Sequence, residues 1–224
     1  METYPRFVVV SGLIGAGKTT LAGDLGKLLG YETLFEPVEE NPYLADFYKD
    51  PARWAYPMQE FLKHRRFALY QFAAWGIRCG KFKGVILDRS IHEDTVFAEI
   101  NRDLGTIHPR DFDTYLQGFQ DFSIFLPEPD VYVFLDAPPE TCRLRAMNRG
   151  REAESTTGFG DEEGIPLSYM KRLHAGYMKW LDEIAPRIPV ARVKWTEFQD
   201  AATVWEDVKK RVAERSRFTR GLVV

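Results

Sequence analysis

Val8-Val9-Val10-Ser11-Gly12-Leu13-Ile14-Gly15-Ala16-Gly17-Lys18-Thr19-Thr20 runs without a break into Leu21-Ala22-Gly23-Asp24-Leu25-Gly26-Lys27-Leu28-Leu29. The opening residues are a β-branched apolar run, the middle spells G-x-x-x-x-G-K-T, and the end carries leucines at helical spacing. Strand, glycine-rich turn and helix in that order are the setting in which this motif holds a triphosphate. Glycines let the backbone curl so that successive N–H groups face one anion, and the following helix adds its positive end. The reading places Gly12, Gly15, Ala16, Gly17, Lys18, Thr19 and Thr20 around the phosphates of a nucleoside triphosphate. Lys18 reaches the β- and γ-phosphates, and the Thr19 hydroxyl serves Mg²⁺.

Working outward, 224 residues fit one α/β domain, and the whole chain reads as a single unit with a lid at about 149–164. A net charge of −3 gives no global pull towards nucleic acid or an anionic membrane. Cys79 and Cys142 suit neither a disulfide framework nor a zinc site, which fits a reducing, cytoplasmic setting. No apolar run approaches the ~20 residues that span a bilayer, and Met1 to Arg6 lacks a signal-peptide pattern.

Five apolar runs read as strands: 7–11, 32–35, 85–88, 131–136 and 190–195. Helical patterns fall between them, including a long one in which Pro57 suits the first turn and which ends at Gly80. Others are expected at 42–50, 95–103, 111–125, 139–148, 167–184 and 201–215. The alternation implies a parallel sheet of five strands covered by helices on both faces. Residues 149–164, rich in glycine and acidic side chains, read as a mobile loop.

Ligands of such sheets bind beyond the carboxyl ends of the strands. Glu36 follows the second strand there, either as a carboxylate that takes a proton from an attacking hydroxyl or as a solvated turn residue. Asp88 ends the third, either supporting Mg²⁺ or capping a helix, and Arg89 next to it suits phosphate charge. Arg143, Arg145, Arg149 and Arg151 form a basic run at the foot of the lid, placed to clamp a transferring phosphoryl group.

Taken together, these segments resemble the deoxyribonucleoside kinases. The resemblance rests on Gly12 to Thr19, Glu36-Pro37-Val38, Pro51-Ala52-Arg53-Trp54 leading to Gln59, and Asp88-Arg89-Ser90. It continues through Leu135 to Cys142, Arg149-Gly150-Arg151 and Gly164 to Tyr169, in family order and across most of the chain. It implies a P-loop kinase fold and transfer of the ATP γ-phosphoryl to a nucleoside 5′-hydroxyl. Glu36 is then the general base, with Asp88 near the metal and Arg89 near the reacting oxygens. Gln59, Arg66 and Asp94 line the base, Tyr48 holds the sugar 3′-hydroxyl, and the lid arginines are Arg145, Arg149 and Arg151. Residues 153–161 lengthen the lid relative to the family pattern, so its sugar-contacting glutamate is Glu162 or Glu152, with Glu162 preferred. The resemblance also implies a homodimer packed through helices.

Gln59 and Arg66 lie two helical turns apart, about 10.5 Å along the axis, on one face. A glutamine amide matches a paired donor–acceptor edge, and an arginine matches guanine O6 and N7. The expected substrate is therefore a purine deoxyribonucleoside, deoxyguanosine or deoxyadenosine. Two other readings are a kinase of nucleoside monophosphates, which needs no Glu36 base, and a nucleotide switch of the GTPase type. The latter needs an Asn-Lys-x-Asp string that the chain lacks.

Overall fold

A computed structural model describes residues 4–36, 38, 40–150 and 164–221, with side chains described up to residue 214. Five parallel strands make one sheet in the order β2-β3-β1-β4-β5. They are β1 (Phe7–Gly12), β2 (Glu32–Leu34), β3 (Val85–Asp88), β4 (Val131–Asp136) and β5 (Val190–Lys194). The three central strands are apolar on both faces because helices cover both, and Val8, Val9, Val10, Ile86, Val133 and Phe134 are fully buried. In register, Val10 of β1 stands beside Asp88 of β3, and Gly12 beside Leu135 of β4. The ends of β1, β2 and β3 therefore open onto one crevice.

The helices are α1 (Lys18–Leu29), α2 (Leu44–Lys49), α3 (Pro51–Arg78), α4 (Asp94–Asp103), α5 (Pro109–Ser123), α6 (Pro139–Arg149), α7 (Leu167–Ile184) and α8 (Ala201–Gly221). A short 3₁₀ turn, Ile91–Glu93, precedes α4. Most boundaries fall within two residues of the sequence expectation, and α7 coincides with it.

Two expectations are corrected. Pro57 does not open the long helix; Pro51 does, with the Asp50 side chain accepting from the Arg53 amide at 3.2 Å. Pro57 lies a turn and a half inside α3, where it removes one intrahelical donor just ahead of Met58 and Gln59. The last helix runs on to Gly221 instead of ending at Arg215.

α3 has 28 residues and a length of about 42 Å, enough to pass the whole crevice side of the sheet. It brings Gln59 and Arg66 to the crevice from its first half and its middle, and carries the exposed aromatics Phe72 and Trp75 towards its end. Among the described residues no helix is long and apolar enough to cross a membrane. Both cysteines are free, Cys79 exposed and Cys142 buried.

Candidate active site

The phosphate loop depends on backbone shapes that only glycine adopts without strain. Gly15 and Gly17 have φ of 78° and 95°. A Cβ on Gly15 would sit 2.2 Å from the Cys142 carbonyl oxygen, and one on Gly17 2.6 Å from the Phe198 ring. The loop is thus pressed against α6 and the segment after β5 on its outer side, leaving its inner side to a ligand. α1 begins on Gly17 with no side-chain cap and no acidic residue in its first turn, so the positive end of the helix is uncompensated. The Lys18 ammonium lies back on the loop, donating to the Leu13 carbonyl at 2.8 Å.

Next to the loop, Thr19 donates its hydroxyl to Asp88 Oδ2 at 2.6 Å. The other oxygen, Oδ1, is buried and has no hydrogen-bond partner. Burial raises the Asp88 carboxyl above its usual range, with Lys18 and the Thr19 hydroxyl pulling it part of the way back. One buried carboxylate with an unused oxygen beside a threonine hydroxyl fits Mg²⁺, which keeps several waters and takes one or two carboxylates plus substrate phosphates. Among the described residues there is no group of three or more metal-ligating side chains, as that mode of binding requires none.

Across the crevice, charges alternate. Arg66 of α3 pairs through one amino group with Glu36 and through the other with Asp94. Arg89 meets the second oxygen of Glu36 through Nε at 3.1 Å and Glu93 through Nη1 at 3.0 Å. Arg66, Arg89, Glu93 and Asp94 are at most 5% exposed. Burial alone would raise the Glu36 carboxyl, but the Arg66 and Arg89 guanidiniums reverse this and hold it at about 2. Glu36 is therefore ionised throughout the neutral range, as an acceptor aimed at whatever enters.

Glu36, Arg66 and Arg89 share with the phosphate loop a cleft of about 420 Å³. Its phosphate end is Gly15, Lys18, Thr19, Asp88 and Arg89; its far end is Tyr48, Met58, Gln59, Leu62, Arg66 and Phe97. Glu36 lies in the same cleft. At the far end Gln59 Oε1 and Arg66 Nε are buried without hydrogen-bond partners. Buried polar atoms are rarely left unpaired, so these two are open to a partner that enters the cleft.

The structure thus gathers Lys18, Thr19, Glu36, Tyr48, Gln59, Arg66, Asp88, Arg89 and Arg149 in one cleft. Asp94 stands behind Arg66 instead of lining the cleft. Arg145 stands apart: it donates to the Thr196 carbonyl at 3.0 Å and lies 4.5 Å over the Phe198 ring, on the outer side of the loop. Arg151, Glu152 and Glu162, with most of the expected lid and Pro37 of the Glu36 motif, lie outside the described residues. Sequence reasoning missed Phe97, Tyr169, Glu93 and Tyr177. The first two line the cleft, Phe97 reading as ordinary core and Tyr169 closing a motif with no role given to it; the last two hold Arg89 from behind.

The deoxynucleoside kinase family model matches residues 8–216. A deoxyadenosine kinase of Dictyostelium discoideum is 39% identical over 202 residues, covering 90% of this chain and 77% of that protein. A deoxyguanosine kinase of the same organism is 36% identical, covering 93% and 70%. Among solved structures, a deoxyadenosine kinase from M. mycoides with bound dCTP superposes with a TM-score of 0.75 at 27% identity, covering 92% of this chain and 98% of that one. The chain belongs to the deoxynucleoside kinase family, whose members are ATP-dependent phosphotransferases.

Burial and the nearby Arg89 charge lower the Lys18 ammonium to about 8, with Asp88 and Glu36 opposing. A polyanion beside it restores the charged form, so Mg-saturated ATP should take up about half a proton on binding at pH 8 and almost none at pH 6.5. Calorimetric titration in two buffers of different ionisation enthalpy measures this; no uptake at either pH would mean that Lys18 does not meet the phosphates.

Proposed function

We propose that this enzyme transfers the γ-phosphoryl group of ATP to the 5′-hydroxyl of a purine deoxyribonucleoside, with Glu36 accepting from that hydroxyl. The observation that carries the reading is the double pairing of Glu36: one oxygen to Arg66 at the far end of the cleft, the other to Arg89 at the phosphate end. A hydroxyl bound at Glu36 then lies where the nucleoside meets the phosphates. The held-down carboxylate suits this chemistry. Phosphoryl transfer passes through a loose transition state, so the hydroxyl loses its proton late and needs an oriented acceptor more than a strong base.

Lys18, the loop amides and Arg89 receive the phosphate charge, with Arg149 at the end of α6 also facing the cleft. Thr19 and Asp88 hold Mg²⁺, which neutralises charge on the triphosphate when bound. The flat pair of Arg145 and Phe198 beside Gly17 suits the ATP base, a role that replaces the phosphate clamp expected of Arg145. At the far end, Tyr48 serves the sugar. Gln59 Oε1 accepts from an exocyclic amine, and Arg66, oriented by Asp94, faces a purine O6 or N7. The names of the relatives, deoxyadenosine and deoxyguanosine kinases, support a purine.

We also propose a cytoplasmic homodimer that covers the exposed Phe72 and Trp75 of α3 and the exposed Ile124 and Phe125 after α5. The two patches are tied by a bond from Gln71 to the Phe125 carbonyl. Light scattering at micromolar concentration should give twice the 25.9 kDa chain mass; the single-chain mass would refute a stable dimer.

Initial rates with the four deoxyribonucleosides and thymidine monophosphate test the substrate reading. Deoxyadenosine or deoxyguanosine should be the best acceptor. Gln59→Leu should lower kcat/KM on both purines by about ten- to a hundredfold, the scale of one unpaired buried donor or acceptor. Thymidine or its monophosphate as the best acceptor would contradict the assignment.

A further inference from the structure

Arg89 has φ of 68° and is the one non-glycine residue with positive φ among the described residues. A long side chain in that region costs on the order of 1–3 kcal/mol and persists only where its surroundings over-determine it. Here they do. The Arg89 amide donates to the Val10 carbonyl at 3.0 Å. The next residue, Ser90, opens the 3₁₀ turn, its amide donating to Glu93 Oε1 at 2.8 Å.

The guanidinium is held as firmly as the backbone. Glu93 Oε2 accepts from Arg89 Nη1 at 3.0 Å, from the Ser11 hydroxyl at 2.7 Å and from the Tyr177 hydroxyl at 2.5 Å. The Tyr177 hydroxyl in turn accepts from Arg89 Nη1. Both Glu93 and Tyr177 are fully buried, and neither lines the cleft. Their hydrogen-bonding capacity is taken up within the protein, so they have nothing left for a substrate. They come from separate elements, the turn before α4 and the middle of α7, and converge on one side of one guanidinium.

We propose that Glu93 and Tyr177 are positioning residues for phosphoryl transfer, holding Arg89 in place while Glu36 turns from it to the substrate hydroxyl. The inference rests on the role given to Arg89 above. Glu36 is the only other carboxylate paired with Arg89 among the described residues. A hydroxyl arriving at Glu36 competes for the lone pairs that Arg89 uses. Without Glu93 and Tyr177, Glu36 would be its one charged partner, backed only by a 3.3 Å bond from Nη2 to the Gly12 carbonyl and the face of Phe97, and the guanidinium would follow that carboxylate. With Glu93 and Tyr177 behind it, Nε is released without moving, and the freed donor faces the phosphates. Displacement of a catalytic group by about 1 Å can cost a hundredfold in rate, so the anchor acts on turnover more than on binding.

Tyr177→Phe tests this with least disturbance, because the ring keeps its packing against Phe134 and Trp180. Steady-state rates with ATP and deoxyadenosine are compared for wild type, Tyr177→Phe, Arg89→Ala and the double variant, each well below its melting temperature. Tyr177→Phe should lower kcat by about tenfold with both KM values within about twofold. In the Arg89→Ala background it should lower kcat no further, since it acts through Arg89. Glu93→Gln, if it folds, should behave in the same way. Normal kcat in Tyr177→Phe, or a further tenfold loss in the double variant, would overturn the proposal while leaving Arg89 in its role. Near-normal kcat in Arg89→Ala would instead overturn the role of Arg89 itself.

Discussion

Five charges of alternating sign follow one another in the order Asp94, Arg66, Glu36, Arg89, Glu93, the middle three lining the cleft and the outer two behind it, and the rest of the site depends on that chain of ion pairs. Buried ion pairs carry a large desolvation cost, and they persist where geometry and added hydrogen bonds offset it. One end meets these conditions through Ser11, the Ser90 amide and Tyr177, all donating to Glu93. At the other end, Asp94 opens α4 and keeps one oxygen unpaired. Removing one member of a buried pair typically costs about 3–5 kcal/mol, because the partner charge is left without compensation. The chain of pairs therefore sets the relative placement of the turn after β3, the middle of α3 and the segment after β2 before any substrate arrives.

That preorganisation connects fold to chemistry. The parallel order β2-β3-β1 brings the ends of three strands to one crevice, and each contributes one part: the loop after β1, Glu36 after β2, and Asp88 and Arg89 at the end of β3. Because Glu36 is held by arginines from both ends of the cleft, the position of the attacking hydroxyl is coupled to the base pocket and to the phosphates together. The strained backbone at Arg89 fits the same account, since strain concentrates where function demands a side chain in one place.

The sheet and the phosphate end of the cleft were legible in the sequence because the residues there sit at the ends of the strand runs. Val85-Ile86-Leu87 points to Asp88, and Val8-Val9-Val10 points to the loop. Arg66 was reached through the family resemblance, and its seven-residue spacing from Gln59 put both on one face, but its dual pairing was not legible, since nothing local says that Glu36 and Asp94 fold onto the same guanidinium. The surroundings of Arg145 were not legible, because a run of arginines on a helix carries no direction; the structure packs this one against Phe198. The start of α3 was misplaced because two prolines six apart both suit a first turn, and only the Asp50 cap decides between them. Tyr177 was invisible: in the amphipathic α7 it reads as one more core aromatic, and its partner Glu93 is 84 residues away.

The central claim is that Glu36 accepts the proton of the attacking hydroxyl, and Glu36→Gln tests it most directly by keeping shape while removing the negative charge. Measured where the variant is folded, kcat with ATP and deoxyadenosine should fall by about 10²–10⁴-fold, while ATP affinity stays within about twofold. A Glu36→Gln variant with near-normal kcat would contradict the account.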